Sequence, residues 1–162
     1  MSDAPDNAVK RLKRDTRGAV LAEFVIALTP LLITFFSFVQ MARIATTRLM
    51  VKHSAIVAAR AASVITNGKD NTPDQNGGAN QGMVTDAAKL ALGPWNKQMV
   101  TVTTEINDQS SKADPYGAVT VTVRATYRCS VPMGSLFTCP GGVKVFTERA
   151  MMPHQGARYI KD

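Results

Sequence analysis

The stretch Arg17-Gly18-Ala19-Val20-Leu21-Ala22-Glu23-Phe24, continued by an apolar run to Met41, decides how the rest of this 162-residue chain is read. From Ala19 to Met41 there are 23 residues and one formal charge, Glu23. As a helix this run rises about 34 Å at ~1.5 Å per residue, enough to cross the hydrocarbon core of a bilayer. It is longer than an ordinary core helix needs. The near-zero mean hydropathy of the whole chain, -0.04, conceals this segregation.

Working outward toward the N-terminus, Lys10, Arg11, Lys13, Arg14 and Arg17 place five positive charges just ahead of the run, opposed by Asp3, Asp6 and Asp15. The chain carries +7 overall, from 19 Lys and Arg against 12 Asp and Glu. A basic block before an apolar run reads as a topology signal, with the N-terminus cytoplasmic and the remainder outside. A nucleic-acid partner is not expected, because no aromatics interleave with the basic residues and no DNA-binding motif follows them. A secretory signal has a shorter apolar core followed by a small-residue cleavage site. Here the run is too long and leads into more helix-forming sequence.

Working outward in the other direction, Ala42 to Val64 has neither Pro nor Gly. Ile44, Val51, Ala55, Ala58 and Ala62 recur on one helical face, with Arg43, Lys52 and Ser63 off it. Alanine-rich turns permit close approach of neighbouring elements. The expected element is one helix from Ala19 to Thr66, stopped by Asn67-Gly68, with residues 19–41 transmembrane and the rest packed on a head. Pro30 interrupts the apolar part, as a passive kink or a hinge that a membrane helix tolerates.

The remaining residues, 67–162, read as a small α+β head. Lys69 to Gln81 is a polar loop whose acceptors lack the D-x-D-x-D-G spacing of a calcium site. Met83 to Leu92 is a short helix ended by Gly93-Pro94. Met99 to Ile106 alternates as a strand. Asp114-Pro115-Tyr116-Gly117 is a turn. Ala118 to Tyr127 alternates strictly, with Val119, Val121, Val123 and Ala125 on one face. Gly142 to Ala150 is a weaker third strand, expected to turn Val143, Val145 and Thr147 inward. Three antiparallel strands would cover one face of the long helix. Cys129 and Cys139 form a disulfide in an oxidising compartment or remain reduced thiols. His53 and His154 are far apart in sequence and no C-x-x-C exists, so no metal site or cofactor is expected. No nucleophile elbow, P-loop or H-E-x-x-H occurs, and an enzyme is not expected.

Glu23 carries the functional argument. A carboxylate within hydrocarbon costs roughly 2.5–3.5 kcal/mol at a helix centre on translocon scales, and such residues default to function. The alternative is a Glu near the interface that merely benefits from the helix dipole.

The junction Arg17-Gly18-Ala19-Val20-Leu21-Ala22-Glu23-Phe24, the following Ala27-Leu28-Thr29-Pro30-Leu31-Leu32 and the Ala- and Arg-rich helix through Ala62 resemble the TadE-like minor pilins, or pseudopilins, of the tight-adherence pilus machinery. Glu148-Arg149-Ala150-Met151-Met152-Pro153 resembles the family's closing strand. Thr29 before Pro30 departs mildly from the family's Leu-Pro-Leu-Leu. The resemblance implies a pilin-like fold and a basic leader, residues 1–18, removed by a prepilin peptidase between Gly18 and Ala19. It implies a single-pass intermediate in the inner membrane with a periplasmic head, later part of a type IV-type adhesive pilus. It implies partners in the peptidase, other pilin subunits and the assembly platform, with Glu23 and Phe24 acting in assembly. Major pilins of this system are very short and almost all helix, so a head of this size implies a minor subunit that primes, caps or supports the pilus. Two other readings compete. One is an uncut single-pass protein whose periplasmic head binds an envelope partner, and the other is a membrane-anchored enzyme.

Overall fold

A computed structural model describes residues 16–65, 80–111 and 113–155. The leader before Thr16, the Asn67-Gly68 stop and most of the polar loop after it lie outside the described residues. The elements run α1 (Thr16–Val64), α2 (Gln81–Leu92), a 3-10 segment (Gly93–Gln98), β1 (Met99–Asp108), β2 (Ala118–Arg128), α3 (Gly134–Thr138) and β3 (Val143–Pro153). The class is the α+β expected: one long apolar N-terminal helix and a small antiparallel sheet.

α1 is a single 49-residue helix that continues through Pro30. Proline has no N–H to give the Ile26 carbonyl, so the turn there is loosened. Thr29 and Thr34 donate their hydroxyls back to the carbonyls of Val25 and Pro30, each at 2.8 Å, which hides these polar groups on an apolar helix. α2 ends where the chain needs positive φ. Gly93 sits at φ 53°, its N–H bonds to the Leu90 carbonyl, and Pro94 cannot continue the α-helix.

The sheet is a meander in the order β1-β2-β3, with both pairs antiparallel. β2 is central, and its alternation places Val119, Val121, Val123, Ala125 and Tyr127 on a buried face. α1 lies over β2 and β3, and α2 lies over β1. The core forms where Val51, Ala55, Ala58, Ala59 and Ala62 of α1 meet that valine face, with Val84, Ala88 and Leu92 of α2 closing the side. Alanines let the helix axis approach the sheet, so the β-branched side chains fill the space. Ser54, buried between the helices, donates to the Ala88 carbonyl at 2.8 Å and leaves no orphaned hydroxyl. Arg48 reaches across to Glu148 of β3 at 3.0 Å.

Two expectations on facing are corrected. β3 turns Phe146 inward, with Ala150 and Met152 partly buried behind it, while Val143, Val145 and Thr147 are exposed. The cause is pairing: Phe146 lies opposite Ala125 and Val145 opposite Thr126, and cross-strand partners share a face. Ser63 is buried rather than off the packed face. It ties its hydroxyl to the Arg60 carbonyl, and its own carbonyl accepts the Gln155 N–H at 2.9 Å. The outer face of the sheet is largely polar, with Thr101, Thr103, Glu105, Arg124, Thr147 and Arg149 exposed beside Val143, Val145 and Met151 of β3.

Candidate functional site

The N-terminal part of α1, exposed from Gly18 to Leu31, stands clear of the head. Its most apolar 18-residue window is entirely unburied, and it is long and apolar enough to cross a membrane. Gly18 and Ala19 lie in its first turns, both exposed. A Cβ at Gly18 would meet nothing within 4 Å, so folded packing places no demand for glycine there. The first four N–H groups of any helix lack intrahelical acceptors. Opening this turn to present an extended Gly18-Ala19 bond therefore breaks few hydrogen bonds.

Glu23 and Phe24 are also exposed, Phe24 at 63%. Glu23, Ala27, Pro30, Thr34 and Phe38 follow at spacings of four, three, four and four, so they share one helical face. A shallow apolar groove runs along this face, where Ala27 and Pro30 leave space beside Leu31, Phe35 and Phe38. The head docks on the other side of the helix, through Phe36, Gln40 and Arg43, about 200° round at ~100° per residue. The carboxylate and the groove thus point away from the head.

Comparison with family models, curated proteins and solved structures finds no match for this chain.

Cys129 and Cys139 are joined in a disulfide, their Cα atoms 6.4 Å apart. The loop it closes makes contacts that the sequence did not announce. Ser130 accepts from Arg43 Nη1 at 3.0 Å, and the Val131 N–H donates to Gln40 Oε1 at 3.3 Å. Gly134 rests on α1 itself. A Cβ there would sit 2.8 Å from the Phe36 carbonyl carbon and 3.1 Å from Gln40 Cβ, closer than packed atoms approach. The turn that delivers Gly134 is tight: Met133 has φ 61° and ψ -44°, and the Gly134 N–H bonds to the Pro132 carbonyl at 2.6 Å. This is a γ-turn of the rare positive-φ kind, strained for a side-chain-bearing residue. The one sequence signal was Gln40, an amide closing an apolar run. It is fully buried under the loop.

Reducing the disulfide, or changing Cys139→Ser, is expected to cost about 3 kcal/mol for a loop of this size. The readout is a lower Tm for the full chain in detergent micelles, followed by Trp95 fluorescence. An unchanged Tm after thiol labelling has verified reduction would contradict the estimate.

At the far end of the head, His154 is buried with Nε2 3.7 Å from Asp108 Oδ2, and its N–H bonds to the Gly117 carbonyl. His154 is thus a packing residue that pins the end of β3. His53 is exposed on α1.

Proposed function

We propose that this chain is a minor pilin or pseudopilin, a structural subunit that primes, caps or supports a type IV-type adhesive pilus. The observation that carries the reading is the exposed stripe of α1 from Glu23 to Phe38, facing away from the head. An apolar helix with a groove and one carboxylate has two covers available, lipid before assembly and neighbouring helices after it. In lipid the carboxylate is penalised. Against a second subunit it meets the free amine that cutting at Gly18-Ala19 creates. That exchange favours assembly and sets axial register between subunits.

The basic leader supports an orientation with the N-terminus cytoplasmic and the head periplasmic. The disulfide supports an oxidising location for the head. The partners in this reading are a prepilin peptidase, other pilin subunits and their assembly platform.

N-terminal sequencing of the protein extracted from membranes tests the proposal. The expected first residue is Ala19, and changing Gly18 to a bulky residue is expected to abolish cutting. A start at Met1 or Ser2 would overturn it, leaving an uncut anchored protein whose head binds an envelope partner.

A further inference from the structure

We propose that the disulfide-closed loop, residues 129–139, is a membrane-contacting foot that seats the head on the outer surface of the bilayer; this rests on the reading of α1 as a membrane span. Three contacts mark the loop's descent along the helix. Ser130 is level with Arg43, Val131 with Gln40, and Gly134 with Phe36. Seven helical residues separate Arg43 from Phe36, about 10 Å of axial distance at ~1.5 Å each. With the inner boundary near Ala19, about 30 Å of hydrocarbon ends near Val39. The start of α3 therefore lies at the outer edge of the hydrocarbon, below the level where the sheet begins.

The loop has the chemistry that this depth requires. Phe137 is 71% exposed. Backbone polar groups facing lipid must be satisfied internally. Here the Gly134, Ser135, Cys139 and Gly142 N–H groups bond to the carbonyls of Pro132, Val131, Ser135 and Cys139. The Thr138 hydroxyl is turned back to the Gly134 carbonyl at 2.7 Å.

Just above the loop the charge is positive. Arg43 is on α1, Lys97 and Arg128 line one depression with Ser130, and Lys144 is exposed at the start of β3. These are the membrane-proximal ends of the strands, since Met99, Tyr127 and Lys144 lie side by side across the sheet. A cationic collar above an aromatic tip fits an anionic phospholipid surface, with the ring among the upper acyl chains and the cations among the phosphates.

The test uses the full chain, with Trp95→Phe, reconstituted in vesicles of phosphatidylcholine and phosphatidylglycerol. Single tryptophans are placed by Phe137→Trp at the foot, Leu31→Trp in the span and Leu90→Trp on the exposed flank of α2. Lipids brominated near the top or near the end of the acyl chains quench fluorescence according to depth. The foot tryptophan is expected to lose more than half its fluorescence to shallow bromines and much less to deep ones. The span tryptophan should respond most to deep bromines, and the α2 tryptophan to neither. Quenching in the span without quenching at the foot overturns this inference and leaves the membrane span standing. Quenching at neither site overturns both. A photoreactive side chain at position 137 that captures a second copy of the chain instead of lipid also overturns it.

Discussion

Glu23→Ala is expected to leave the protein inserted and cut, yet to remove it from assembled pili. In the separate subunit the change relieves a carboxylate that hydrocarbon penalises, so the lipid-embedded state becomes more comfortable. In the proposed assembled state it would delete the partner of the Ala19 amine. Both effects push toward the unassembled form. Near the helix start snorkelling lowers the hydrocarbon penalty, so the expected coupling is roughly 1–3 kcal/mol, about five- to 150-fold in association. The exposed Val20, Leu21 and Phe24 remain to pack on neighbours, but apolar contact in lipid has little driving force of its own. The measurement is the ratio of this subunit in sheared pili to that in membranes, with N-terminal sequencing as the control for cutting. Incorporation at the unaltered level would show that Glu23 is only an interfacial residue at a helix start. Glu23→Asp, which keeps the charge on a shorter arm, is expected to fall between.

Tyr127→Ala is expected to give the largest loss of stability among single changes in the head, about 3–5 kcal/mol. Tyr127 is fully buried, the largest such side chain among the described residues, and stands where β2 meets β1 and β3 next to Cys129. A loss of that size is a large part of the ~5–15 kcal/mol that holds a typical domain. For a unit of about 100 residues it lowers Tm by about 15 °C or more. Tyr127→Phe should behave oppositely. The hydroxyl is buried and has no hydrogen-bond partner among the described residues, so removing it relieves a desolvated polar group. The aromatic variant should melt at or above the temperature of the unaltered chain. Trp95 fluorescence of the detergent-solubilised protein separates the two. A marked drop in Tm for Tyr127→Phe would show that the hydroxyl bonds to something outside the described residues.

The sheet illustrates where reading by pattern works. β2 has apolar side chains on one parity and threonines with Arg124 and Arg128 on the other, so its facing needs no neighbour to decide it. β3 carries apolar residues on both parities: Val143 and Val145 on one, Phe146, Ala150 and Met152 on the other. Its own sequence is undecided, and the register against β2 selects the parity with the phenyl ring. Ser63 lies on the packed face of α1 for a related reason. A small hydroxyl satisfied by the Arg60 carbonyl can be buried as readily as an alanine, so polarity alone does not mark it as outside.

Local chemistry determined the rest of the framework. A run with one charge and one proline makes a helix long enough for a membrane, because helix geometry and hydropathy are properties of the segment itself. With two cysteines in the chain, the only intramolecular disulfide available pairs Cys129 with Cys139. The seating of that disulfide loop on the helix belongs to the tertiary structure. Gly134 meets Phe36, and Val131 meets Gln40, across 91 residues of chain. No periodicity or spacing encodes such a contact, since it depends on how the sheet lies over α1 and on a strained turn at Met133. The sequence thus specified a membrane-length helix and a head; the packed structure decided how far down that helix the head reaches.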